Sequence, residues 1–160
     1  RSSAASDVYK RQDVEKLRKS FRLPGMKILQ FAFDGNEDNP YLPKNIKGEN
    51  WVVYTGTHDN STSLSWWKCL DSDSKSRIRD EFKFSDKPSW SLIEIGMNTN
   101  ANLFIAPIQD ILSLDDSCRL NQPGTTKNNW KWKLNQPLEE IEENIRIFSN
   151  LGRDSGRIRD

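Results

Sequence analysis

The sequence predicts an α/β fold built on a parallel β-sheet, and three observations support this. Three apolar runs, at residues 26–33, 51–57 and 101–108, have the length and composition of buried strands. Stretches with helical spacing precede the first run, separate the second from the third, and follow the third. Polar, turn-forming segments lie on both sides of the apolar runs and the helical stretches. Strands that alternate with helices along a chain are typical of parallel sheets.

The first elements follow from local patterns. Residues 13–21 are predicted to form a short amphipathic helix, because Val14, Leu17 and Phe21 recur at helical spacing. The Leu-Pro-Gly sequence at 23–25 ends it. After the first strand, residues 34–50 are rich in Asn, Pro, Gly and charge and are predicted to form a long loop, which at that length is usually functional or mobile.

The later elements are predicted in the same way. Residues 62–82 are helical in pattern, with a break near 71–74, and residues 88–97 form another helix. A turn or short helix follows the third strand at 109–114, and residues 115–133 form a loop. Residues 137–148 combine Pro137 and acidic residues in the first turn with an apolar stripe, which favours a helix. Trp130 and Trp132 either pack against this helix, which is the favoured interpretation, or present flat aromatic faces to a ligand.

Composition excludes several classes of function. The chain has 160 residues, a net charge of +1 and no apolar run long enough to span a bilayer, so neither nucleic acid nor membrane is an expected partner. No signal peptide is recognisable, which favours a cytoplasmic location. Two cysteines and one histidine are too few for a disulfide framework or a structural metal site.

The polar segment at residues 55–62 is the strongest candidate for a functional site. It follows the second predicted strand and contains His58, the only histidine, beside Asp59 and Asn60. The carboxyl ends of parallel strands carry the active sites of α/β barrels. A His-Asp pair there could bind vicinal sugar hydroxyls, and the carboxylate could stabilise positive charge on a sugar ring. Alternatively, Asp59 or Asn60 caps a helix that begins near Ser61.

Further segments surround this motif in a fixed order. They are LPGMKILQFAFDG at 23–35, NPYLP at 39–43, APIQDIL at 106–112, RLNQPGT at 119–125 and NWKW at 129–132. From about residue 13 to residue 149, the series resembles the C-terminal part of the 4-alpha-glucanotransferases, also called amylomaltases or disproportionating enzymes. The specificity of the resemblance comes from the joint order and spacing of the segments.

The resemblance implies that residues 13–149 form the C-terminal portion, about the last three β/α units, of a (β/α)8 TIM barrel. It implies a transferase of starch, glycogen or maltose metabolism that moves α-1,4-glucan segments between maltooligosaccharides by a retaining double displacement, without cofactor or metal. Residues 1–12 do not resemble the family and are interpreted as a non-native leader. Residues 150–160 are interpreted as a frayed or non-native tail.

The family's motifs also assign roles to individual residues. Asp59 matches the third catalytic aspartate of the family. The matched substrate-binding positions are His58, Asn60, Phe33, Asp34 and Asn121. The family's nucleophilic aspartate and acid/base glutamate have no counterpart here, so the chain is expected to be an inactive fragment that lacks the N-terminal part of its barrel. Phe33 could instead be a core aromatic, and Asn60 a capping residue.

Two other functions are compatible with the same residues. A non-catalytic α-glucan-binding module could use the tryptophans with His58 and Asp59, although such modules are usually complete domains. A related α-glucan hydrolase would share the His-Asp pair but not the other segments. An eight-stranded barrel needs about 250 residues. Part of one would expose its sheet edges and inner wall, so the chain alone is expected to be unstable or prone to aggregation.

Overall fold

The computed structural model describes residues 13–158, so the predicted leader at 1–12 and the last two residues of the predicted tail lie outside the described residues. A three-stranded parallel sheet organises the chain, with β1 at Gly25–Ile28, β2 at Trp51–Tyr54 and β3 at Leu103–Ile105, side by side in that order. Met26 is opposite Val52, and Val52 is opposite Leu103. The predicted α/β class and parallel sheet are confirmed.

The described residues contain six helices besides the sheet. Helix α1 covers residues 13–20 and precedes β1. The others are α2 (Ser63–Cys69), α3 (Ser72–Phe82), α4 (Pro88–Met97), α5 (Ile108–Ile111) and α6 (Leu138–Asp154). The predicted break in the 62–82 stretch separates α2 from α3, where Asp71 caps α3 by accepting a hydrogen bond from the Ser74 amide at 2.8 Å.

The first strand is shorter than its apolar run predicts. After Ile28 the chain enters a 3-10 turn at Leu29–Phe31. The backbone amide of Gln30 in this turn donates to the Thr55 carbonyl at 3.2 Å, so the turn remains hydrogen-bonded to the segment that follows β2. The apolar residues beyond the strand, Leu29, Ala32 and Phe33, are still buried. Burial of the run was therefore predicted correctly for most of its residues but not for Met26 and Phe31, which are 56% and 48% exposed, and its extended conformation beyond Ile28 was wrong.

One face of the sheet packs against the helices. Val53 and Phe104 point to this side and are buried, together with Ile78 of α3 and Leu92 and Ile93 of α4. A Cβ atom added to Gly96 of α4 would lie 2.0 Å from the Phe104 ring, so the close approach of α4 to β3 requires glycine.

The opposite face of the sheet is only partly covered. Met26, Leu103 and Ile105 are 56%, 49% and 36% exposed, and Val52 and Tyr54 between them are half-buried. We call these five residues the open sheet face. The apolar stripe of α1 is likewise exposed at Val14, Leu17 and Phe21. An uncovered apolar surface of this extent is unusual for a soluble monomer.

The C-terminal segment is more ordered than predicted. Helix α6 continues to Asp154, beyond the predicted end at Phe148. The Arg157 guanidinium then donates hydrogen bonds to the carbonyls of Met97 and Ala101, both at 2.7 Å, and of Thr99 at 2.6 Å. The expectation of a frayed tail is therefore wrong for residues 150–158, because these bonds attach the end of the chain to the end of α4.

Candidate functional site

Residues 56–62 form a loop at the carboxyl end of β2. The Asn60 side-chain oxygen accepts hydrogen bonds from the Thr57 amide at 2.9 Å and from the Thr57 hydroxyl at 2.7 Å, which closes a tight turn around His58 and Asp59. Helix α2 begins later, at Ser63, and Thr62 caps it. The alternative that Asp59 or Asn60 caps the helix is therefore wrong, and the Asp59 carboxylate is available for other contacts.

The Asp59 carboxylate lies between residues from two loops. Its Oδ1 atom accepts a hydrogen bond from Asn121 Nδ2 at 2.5 Å, and His58 Nε2 lies 3.2 Å from the same atom. The side chains of His58 and Asp59 are each 50% exposed. Among the described residues, no donor reaches Oδ2. The structure thus brings His58, Asp59 and Asn121 together, with one carboxylate oxygen held by the protein and the other open.

A cavity of about 410 Å³ lies beside these residues. Its floor contains Met26, Tyr54 and Ile105 of the open sheet face, and its rim contains His58 and Asp59. Other lining residues come from the 56–62 loop and from the segment after β3. Apolar walls with a few convergent polar groups, at this volume, are typical of small-molecule sites.

Arg119 connects the two loops of the site. Its guanidinium donates to the Asp59 carbonyl at 2.6 Å, to the Asn121 carbonyl at 2.8 Å and to the Ser61 hydroxyl at 3.3 Å. The side-chain amide of Gln30 adds a further hydrogen bond to this loop by donating to the Ser61 carbonyl at 2.9 Å. Arg119 has no role predicted from the sequence motifs. Its position two residues before Asn121 in the RLNQPGT segment was the available signal.

Trp130 belongs to the site and not to the packing around α6. Its ring is tilted by 39° against the His58 ring, with 5.0 Å between the centroids, and the residue is 63% exposed. The expectation that it packs against the last helix is therefore wrong. Its backbone amide donates to the Leu120 carbonyl at 2.6 Å, which holds the indole beside His58. An exposed indole can present a flat apolar surface to a ligand.

Phe33 and Asp34 are not brought to Asp59. Phe33 is only 7% exposed and lies in an aromatic cluster, with its ring centroid 4.9 Å from Phe82 and 5.6 Å from Phe84. This placement agrees with the core alternative. Asp34 is exposed, and hydrogen bonds from Asn39 and the Asn36 amide lower the pKa of its carboxyl. Neither residue lines the cavity beside Asp59, because the chain leaves β1 early and turns Phe33 into the core.

A second aspartate, Asp110 of α5, lies beneath the loop and was not assigned from sequence. It is 1% exposed, and its carboxylate accepts hydrogen bonds from the Thr55 hydroxyl at 2.5 Å and from the Ser63 hydroxyl and amide, both at 2.7 Å. Burial raises the pKa of the Asp110 carboxyl, and these three hydrogen bonds oppose that increase. We call Asp110, Thr55 and Ser63 the Asp110 clamp.

The described residues contain no group of three or more His, Cys, Asp or Glu that could hold a metal ion. Cys69 and Cys118 are free thiols. Within residues 13–158, no helix has the length and apolar character needed to cross a membrane.

Comparison with known proteins relates this chain to one family. Residues 9–139 match the family model described as 4-alpha-glucanotransferase. The chloroplastic/amyloplastic 4-alpha-glucanotransferase of Arabidopsis thaliana is 43% identical over 151 residues, which cover 93% of this chain and 25% of that protein. The 4-alpha-glucanotransferase of Thermus thermophilus is 42% identical over 130 residues, which cover 76% of this chain and 26% of that protein.

A solved structure shows the same relationship. The amylomaltase from Streptococcus agalactiae, in complex with acarbose, superposes with a TM-score of 0.84 at 25% identity, over 92% of this chain and 30% of that one. The chain thus spans about a quarter of the length of the curated relatives that it matches. Because the family model covers most of the sequence, the chain belongs to the 4-alpha-glucanotransferase family.

Proposed function

We propose that this chain forms the C-terminal part of a (β/α)8 barrel that transfers α-1,4-glucan segments between maltooligosaccharides. The observation that carries the proposal is the position of Asp59, whose carboxylate follows β2 and borders the cavity with its Oδ2 atom open. Active sites of such barrels lie at the carboxyl ends of the strands. Family membership supports the same assignment.

In this proposal Asp59 stabilises the reacting sugar and does not form the covalent bond. Retaining transfer uses one carboxylate as nucleophile and another as acid/base, through a transition state with positive charge on the sugar ring. Asp59 Oδ2 accepts a hydrogen bond from a sugar hydroxyl, and its charge stabilises the ring. His58 and Asn121 keep Oδ1 occupied, which fixes the carboxylate plane. Asn60 shapes the turn that presents them.

The open sheet face would be part of the inner wall of the barrel. The remaining strands would cover Met26, Leu103 and Ile105 and would supply the nucleophile and the acid/base. The isolated chain is therefore expected to have no transferase activity. A cytoplasmic location remains a prediction.

The proposal can be tested with a chimera of the Thermus thermophilus enzyme in which the matching quarter is replaced by residues 13–158 of this chain. The parent chimera should release glucose from maltotriose. The Asp59→Asn variant should lower kcat by about 10²–10³-fold, the loss typical of removing a transition-state electrostatic contact.

Asp86→Asn serves as the control, because the Asp86 side chain is fully exposed and does not line the cavity. The control should be as active as the parent chimera. An Asp59→Asn chimera with full activity, or glucose release by the isolated 160-residue chain, would contradict the proposal.

A non-catalytic α-glucan-binding module is the second candidate, and the exposed Trp130 indole beside His58 favours it. An aromatic surface next to polar groups suits a sugar, whose C–H groups pack on the ring. The two functions differ in the isolated chain. A stable monomer that binds maltooligosaccharides without the rest of a barrel would favour the module.

A further inference from the structure

The Asp110 clamp acts at both ends of the loop that carries Asp59. Thr55 is the last residue before the loop, Ser63 is the first residue after it, and Asp59 is midway between them. Both donate to one carboxylate from a distant part of the chain, 55 and 47 residues away in sequence. A single buried side chain therefore bridges the two ends of the loop.

The clamp is fully satisfied and almost completely shielded from water. The Oδ2 atom of Asp110 accepts from both hydroxyls, and Oδ1 accepts from the Ser63 amide. A buried carboxylate is a costly way to fill a core, since apolar residues of similar size often stabilise a fold as well or better. Buried polar groups whose hydrogen bonds are all made do, however, select one geometry and rigidify it.

A neighbouring contact supports the same loop end. Asp116 Oδ1 accepts from the Thr62 amide at 2.7 Å, and the Asp116 amide donates to the Ser65 hydroxyl at 2.9 Å. The loop is thus held at Thr55, Thr62 and Ser63 by residues that follow β3. Between these points the short turn closed by Thr57 and Asn60 has little freedom to move the Asp59 carboxylate.

We propose that Asp110 is a positioning residue: it fixes both ends of the 56–62 loop and thereby holds the Asp59 carboxylate beside Asn121 and the cavity. Its contribution to glucan transfer rests on the function proposed above. The positioning itself can be measured without any substrate, because His58 is the only histidine of the chain and adjoins Asp59.

The experiment records the imidazole NMR signals of His58 and the hydrogen exchange of the amides at 57–62 in the 160-residue chain. Asp110→Ala removes all three hydrogen bonds of the clamp, so it should broaden or multiply the His58 signals and speed exchange by at least about tenfold, the factor expected for the loss of a single bond. Asp110→Asn should restore the parent pattern, since its amide nitrogen can donate to both hydroxyls while its oxygen accepts from the Ser63 amide.

Leu92→Ala is the matched control, because Leu92 is fully buried in α4 and its apolar side chain takes no part in the hydrogen bonds of the clamp. It should lower stability and leave the His58 signals unchanged. If Asp110→Ala does not fold, Thr55→Val can be used instead. It removes the hydroxyl that donates to Asp110 and leaves a side chain of nearly the same shape, whereas Thr55→Ser keeps the hydroxyl. The first should alter the His58 signals and the second should not.

Unchanged His58 signals in folded Asp110→Ala or Thr55→Val, or the same change in Leu92→Ala, would overturn the proposal. The same substitutions in the chimera distinguish the positioning role of Asp110 from the proposed transfer of glucan. In the chimera, Asp110→Ala should lower kcat by a larger factor than it changes KM. Asp110→Asn should restore kcat. A chimera without activity, combined with His58 signals that respond as expected, would contradict the glucan transfer and support the positioning.

Discussion

At the scale of single residues, the site depends on how the two Asp59 oxygens differ. Oδ1 is held by Asn121 and lies near His58, whereas Oδ2 has no donor among the described residues. A carboxylate that is oriented through one oxygen can present the other to a ligand without losing its position. Arg119 supports this arrangement from the backbone side by binding the Asp59 carbonyl.

The buried Asp110 carboxyl should make the stability of the chain depend on pH. Burial raises its pKa above the usual 3.8, so the folded chain binds a proton on this carboxyl more tightly than the unfolded chain does. Its contribution to stability is then most favourable below the unfolded pKa of about 3.9 and is lost as the pH rises through the raised value. Asp110→Asn does not titrate and should show no such loss.

Urea unfolding of the parent chain and of Asp110→Asn, from pH 4 to pH 7, measures this effect. The free energy of unfolding of the parent, relative to the variant, should fall as the pH rises. A relative increase with pH would show that the pKa is lowered and would contradict the dominant effect of burial.

Sequence motifs found some of these residues and missed others for a clear reason. The motifs predicted that His58, Asp59 and Asn121 share a site, and the structure brings the three side chains together. Their contact with sugar stays a prediction. Asp110 and Arg119 could not be found in the same way, because each acts on partners about 47–60 residues away in sequence.

At the scale of elements, a close packing contact joins α4 to β3 through Gly96 and Phe104. Gly96→Ala would place a methyl group inside the van der Waals radius of the Phe104 ring, and either the helix or the ring must move. Overpacking of this kind costs about 1–3 kcal/mol. We expect the free energy of unfolding in urea to fall by that amount.

Ser76→Ala on the exposed side of α3 is the control for this substitution and should change stability by less than about 0.5 kcal/mol. A Gly96→Ala variant as stable as the control would show that the α4–β3 contact is looser than the structure indicates.

Local patterns predicted most elements, and the exceptions depend on tertiary contacts. The break between α2 and α3 follows from a capping aspartate that the sequence displays. The 3-10 turn after β1 depends on the bond from Gln30 to Thr55, and the ordered C-terminus depends on the bonds of Arg157 to α4 and its flanking turn. No pattern within those segments reports such partners.

At the scale of the whole molecule, the open sheet face is the main feature, and an exposed face was expected from the resemblance to part of a barrel and not from composition. The sheet has two edge strands, β1 and β3, and apolar residues on its uncovered side. Exposed edges and apolar faces promote association between chains. The purified chain should therefore associate as its concentration rises, which sedimentation velocity would detect.

Replacing Met26 and Leu103 by threonine should reduce this association, because both side chains lie on the open sheet face. Leu138→Thr is the matched control, since Leu138 is exposed on α6 and away from that face. A chain that stays monomeric at all concentrations and melts in one sharp transition would contradict the prediction and favour a complete domain.

The most direct test of the account is a crystal structure of the chimera with bound acarbose. We expect a sugar ring in the cavity, with a ring hydroxyl within hydrogen-bond distance of Asp59 Oδ2 and with Oδ1 still bound to Asn121. Acarbose bound elsewhere, or bound in the cavity without contact to Asp59, would contradict it.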